Sequence, residues 1–65
     1  MCLSSVYKKE DEEHVFLYKN IAKVELTGDG LYFTDLFGVR NRFDGTLLEI
    51  DLLENTILVK DGESK

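Results

Sequence analysis

Apolar and polar residues alternate with period two in several short windows of this chain. Ala22, Val24 and Leu26 alternate with Lys23, Glu25 and Thr27, the pattern of a half-buried strand. Leu48, Ile50 and Leu52 alternate with Glu49, Asp51 and Leu53 in the same way, and Val39, Asn41 and Phe43 with Arg40 and Arg42. No window of about 11 residues carries a 3.6-residue apolar stripe, so no long helix is expected. The turn signals agree. Gly28-Asp29-Gly30 separates two strand-like runs, Gly38 closes Thr34-Asp35-Leu36-Phe37, and Glu54-Asn55 is a weaker turn. Asp44-Gly45 reads as a hairpin turn, because Asp-Gly tolerates the positive φ that a type I′ turn needs.

Lys8-Lys9-Glu10-Asp11-Glu12-Glu13 is a charge run between two apolar stretches and reads as a solvated hairpin loop. Strands are then expected near 2–7, 14–18, 21–27, 31–35, 39–43, 46–53 and 56–60. Short strands at this spacing predict an all-β fold, a small antiparallel β-barrel. Closing or nearly closing the sheet also removes exposed edges, and an edge left open would be a natural dimer seam. Residues 1–60 are expected to form one β-barrel domain, with 61–65 a disordered tail.

Composition narrows the class. The chain has 65 residues, 43% of them hydrophobic and 32% charged, ordinary values for a globular domain. A domain of this size buries only about 60% of its unfolded surface, so a partner readily adds stability. The apolar runs, such as Val15-Phe16-Leu17-Tyr18, are far shorter than the roughly 20 residues of a membrane-spanning helix. They are also shorter than the apolar core of a secretory signal. The expectation is a cytoplasmic protein, complete from Met1, with no membrane partner.

Eight Lys and Arg against 13 Asp and Glu give a net charge of −5. That sign disfavours a nucleic-acid partner, whose binding is driven by Lys and Arg releasing counterions. Tyr32 and Phe33 beside Arg40 and Arg42 imitate the aromatic and basic platform of a single-strand binder. Core duty for these aromatics is the simpler reading in so small a domain.

Catalytic signatures are missing from the sequence, which has no Gly-x-Ser-x-Gly, P-loop or Gly-x-Gly-x-x-Gly, and no enzyme is expected. Asp35, Asp44, Glu49 and Asp51 fit turns and outward faces. Cys2 and His14 are the only residues of their kinds, so no internal disulfide and no zinc finger can form from one chain. If Met1 is trimmed, Cys2 offers an amine and a thiolate that close a five-membered chelate on a metal. Two such chelates from two chains would give an N2S2 set suited to Ni(II) or Cu(II). If Met1 stays, the thiolate would work with backbone nitrogens. The competing reading makes Cys2 a small apolar residue on the first strand, since free Cys is among the most buried types. A hairpin centred on Glu10-Asp11 pairs Cys2 with Lys19 and His14 with Tyr7. That separates Cys2 from His14 by roughly 17 Å, so they are not co-ligands within one chain.

The Met1-Cys2 start, the length and the acidic hairpin loop belong to a larger pattern. With the central Thr34-Asp35-Leu36-Phe37-Gly38 and the closing Gly45, Glu49-Ile50-Asp51-Leu52 and Thr56-Ile57-Leu58, the chain resembles the CooT family of small nickel-binding proteins over nearly its whole length. The resemblance implies an SH3-like or Sm-like barrel and a homodimer. It also implies nickel handling for carbon monoxide dehydrogenase, a nickel enzyme client, with the cysteine after the initiator Met as ligand, here Cys2, and Ni(II) as the bound ion. The family is also described as RNA-binding, on the shape of its barrel. An RNA-binding barrel and a metal-free interaction module are therefore the alternative functions.

Overall fold

A computed structural model describes residues 3–62. Six strands form one sheet: β1 (Ser4–Glu10), β2 (Glu13–Thr27), β3 (Gly30–Asp35), β4 (Arg40–Phe43), β5 (Gly45–Asp51) and β6 (Thr56–Asp61). Their order across the sheet is β4-β3-β2-β1-β6-β5. Four ladders are antiparallel, and β1 pairs with β6 in parallel. The two edge strands, β4 and β5, are joined by Asp44 alone. One residue spans less than 4 Å, so the ends of the sheet must curl toward each other. The result is a half-closed barrel, in keeping with the all-β expectation.

The core lies inside the curl. Val6, Ile21, Leu31, Phe33, Ile57 and Val59 are buried, and Leu17, Tyr18, Val24, Phe43 and Leu47 pack against them. The Phe33 ring lies 5.6 Å from Tyr18 and 6.4 Å from Phe43. Burial of side chains of this size contributes about 1.5–3 kcal/mol each, the main stabilisation available. Lys8 ends the inward row of β1. Its side chain is only 19% exposed, while Nζ reaches Glu10 at 2.7 Å and Asp61 at 3.3 Å, a division between covered stem and charged head typical of lysine.

Several sequence expectations need correction. The stretches 14–18 and 21–27 are one bent strand, β2. Asn20 takes φ 56°, a conformation Asn tolerates better than most residues. Pairing shifts on both sides of that point bend β2 without ending it. The expected six-residue loop at Lys8–Glu13 is a two-residue turn at Asp11-Glu12, with φ 56° at Asp11. That moves the hairpin register, so His14 pairs with Lys9 and not with Tyr7, whose partner is Phe16.

Asp44-Gly45 is not a hairpin, because β4 and β5 are not hydrogen-bonded neighbours. It is the corner that carries the chain from one edge of the sheet to the other. On β5 the inward residue is Leu47, and Leu48 is skipped by an irregularity in the ladder to β6. Beyond that slip the alternation changes face relative to a regular strand, and Leu48 and Ile50 are largely exposed. The strand expected over 46–53 ends at Asp51, and residues 52–55 form the turn anticipated at Glu54-Asn55. Asp61 belongs to β6, and the Gly62 amide donates to the Asp44 carbonyl at 3.0 Å.

Candidate functional site

Cys2, the expected metal ligand, lies outside the described residues, and so does the pairing expected between Cys2 and Lys19. What the structure defines is the place where the chain enters the sheet. Ser4 pairs with Ile21, and the Ser5 amide donates to the Asn55 carbonyl at 3.0 Å. On the far side of β2, the Leu36 amide donates to the Asn20 carbonyl at 3.0 Å. A row of backbone contacts therefore crosses the sheet from Leu36 through Asn20-Ile21 and Ser4-Ser5 to Asn55. The loops 36–39 and 52–55 attach at its two ends and flank the start of β1.

Both loops are built by an aspartate at a strand end. Asp35 Oδ1 accepts the amides of Phe37 at 2.9 Å and Val39 at 3.0 Å. Gly38, at φ 88°, completes that turn. Asp51 Oδ1 accepts the amides of Leu53 and Glu54, each at 3.0 Å, and Asn55 at φ 58° returns the chain to β6. A carboxylate closing its own turn is the behaviour expected of Asp at such positions. The consequence falls on their neighbours. With the backbone held this way, Phe37, Leu52 and Leu53 are 82%, 81% and 88% exposed. The sequence carried a signal for this, since Leu36-Phe37 and Leu52-Leu53 break the alternation beside turn residues.

His14 is exposed near the tip of the β1–β2 hairpin. With Tyr7, Glu49, Thr56 and Leu58 it lines a shallow cavity of about 210 Å³ on the outer face. Among the described residues no three His, Cys, Asp or Glu side chains gather in a way that could hold a metal ion. Ser4 and His14's partner Lys9 stand five residues apart on β1, roughly 17 Å of extended strand. His14 and the start of β1 are therefore at opposite ends of that strand.

A second polar surface lies on the outer face of β2, β3 and β4. Core duty, expected for Tyr32 and Phe33 alike, holds for Phe33 only. Adjacent strand residues point to opposite faces, so Tyr32 faces outward. Its hydroxyl donates to Asp29 Oδ2 at 2.9 Å, and Arg40 stacks over its ring at 3.8 Å. That hydroxyl, followed by the one of Thr27, holds the Asp29 carboxyl below the usual carboxylate range. Arg40 Nε donates to Glu25 at 3.0 Å, and Arg42 Nε to the Asp29 carbonyl at 2.8 Å.

Among the described residues no helix is long and apolar enough to cross a membrane. Residues 1–60 match the family model described as CO dehydrogenase accessory protein CooT. Among solved structures, the crystal structure of a candidate CooT from Carboxydothermus hydrogenoformans superposes with a TM-score of 0.86 at 19% identity. The match covers 95% of this chain and 100% of that one. At that identity the likeness speaks for the fold. No curated protein sequence matches the chain.

Proposed function

Because the chain belongs to the CooT family of CO dehydrogenase accessory proteins, we propose that it carries Ni(II) for such an enzyme. The ligand is the thiolate of Cys2, at a site shared between two copies of the chain. The family is one of accessory proteins and not of enzymes, so nickel is cargo here.

One observation carries the reading. Cys2 is joined through Leu3 to the start of β1, and exposed Leu36, Phe37, Leu52 and Leu53 sit in the loops attached on either side of that start. Large apolar side chains held out by tight turns are expected where another surface covers them. A two-fold axis passing near them would bring two Cys2 residues together, because a symmetric interface matches one patch with itself. A single cysteine per chain leaves a metal short of ligands, and the second copy supplies another.

Thiolate and not thiol binds the metal, so loading releases protons and weakens as pH falls. The net charge of −5 and the lack of a basic cluster disfavour the RNA-binding alternative. The test is addition of Ni(II) while following thiolate-to-metal absorption. A band that grows with nickel and is absent in Cys2→Ser supports the reading. Identical spectra for the two proteins refute it.

A further inference from the structure

The edge strand β4 holds both arginines of the chain and none of its acidic residues. It pairs only with β3, and no other element of the described residues approaches its outer side. An uncovered strand edge offers unpaired backbone groups to any extended segment that reaches it. Proteins that leave such an edge exposed commonly blunt it. The other edge, β5, is blunted by its irregularity at Leu48. β4 has no such irregularity in its ladder to β3.

The side chains say what kind of segment fits. Arg40 and Arg42 alternate on the outer face, about 7 Å apart along the strand. Each is anchored through Nε, Arg40 to Glu25 and Arg42 to the Asp29 carbonyl, and Arg40 is further fixed over Tyr32. Their terminal nitrogens make no hydrogen bond among the described residues. A guanidinium held by Nε with its end left open is poised for a carboxylate. In an added strand, residues directly opposite Arg40 and Arg42 would lie about 5 Å away on the same face. Those positions are two apart in the added segment, and the residue between them faces inward.

We propose that β4 is the docking edge for an extended acidic segment of a partner protein. That segment adds as a seventh strand and sets two alternate carboxylates against Arg40 and Arg42. Charge complementarity selects this occupant. A second β4 would oppose arginine to arginine. A nucleic acid has no peptide backbone with which to continue the ladder that the open edge of β4 offers. The inference does not depend on nickel binding.

The test uses the full chain labelled with ¹⁵N. The probe is a short synthetic peptide in which Glu alternates with Val and Thr. It should shift the amides of Arg40–Phe43 and the Nε–H signals of both arginines. The same peptide with Gln for Glu should bind at least about tenfold more weakly, the scale of losing a charged pair. Alternate N-methylation of the acidic peptide, which keeps the carboxylates but removes the ladder, should also abolish binding. Arg40→Gln with Arg42→Gln should weaken the acidic peptide similarly, while Lys9→Gln with Lys60→Gln should not, both variants keeping a dispersed amide spectrum. Equal binding of the Gln or N-methylated peptide overturns the proposal. So do shifts confined to other strands, and an oligouridine that perturbs Arg40–Phe43 where the acidic peptide does not. A fall in the sedimentation coefficient of the arginine variant would assign the edge to a second copy and overturn it as well.

Discussion

Phe43 and Gly45 stand on either side of the residue that joins the two edges of the sheet, and the ring of one lies against the Cα of the other. A methyl group on Gly45 would overlap both that ring and the Lys60 carbonyl. The glycine is required by close approach and not by turn conformation, since its φ is not positive.

Gly45→Ala should therefore lower stability by about 1–3 kcal/mol, the usual cost of overpacking. Gly28→Ala places its methyl in open space at ordinary φ and should change stability by less than about 0.5 kcal/mol. Thermal or denaturant unfolding of the two variants checks the contrast. Equal midpoints would show that the corner at Asp44 is loosely packed.

Phe33 and Tyr32 separate core from surface in the same way. Phe33→Ala should cost about 3–5 kcal/mol, a large share of what so small a domain holds. Tyr32→Phe, which removes an exposed hydroxyl and its hydrogen bond to Asp29 but leaves the core intact, should cost far less. Chemical denaturation followed by circular dichroism distinguishes them.

Alternation made the strands legible in the sequence, and Gly28, Gly38 and Asn55 made the turns legible. Irregularities were not. The bend of β2 around Asn20 and the skipped Leu48 put extra residues into one strand of a pair and shift pairing without interrupting the apolar pattern, so Leu48 and Ile50 read as core. Asp44-Gly45 has the local chemistry of a hairpin, and only the long-range placement of β4 and β5 at opposite edges makes it a corner. Cys2 stood out by position alone. The exposed loops around the start of β1 emerged only once Asp35 and Asp51 were seen closing their turns.

Asp29 gives the fold a pH signature. Its folded-state pKa lies below the ordinary value near 3.9, held down first by the Tyr32 hydroxyl and then by Thr27. Its contribution is therefore fully present above the ordinary value and lost as pH falls through the lower folded value. Tyr32→Phe should therefore lower stability slightly and by a constant amount above about pH 5, with the two profiles converging as Asp29 becomes protonated. Midpoints of unfolding measured across the acid range test it, and parallel profiles would remove Tyr32 as the cause.

Phe37→Ser combined with Leu53→Ser should weaken self-association while leaving the melting temperature nearly unchanged, since both side chains are exposed. Sedimentation equilibrium of the two proteins is the check. An unaltered association constant would move the dimer surface elsewhere.

In the proposed function the Cys2 thiolate holds nickel at a site shared by two chains. Native mass spectrometry of the protein loaded with Ni(II) reads both halves at once. A dimer carrying one nickel ion is expected, with no nickel on Cys2→Ser and full loading of His14→Ala, whose side chain lies toward the far end of β1 from the chain's entry. Nickel retained at the same stoichiometry by Cys2→Ser would contradict it.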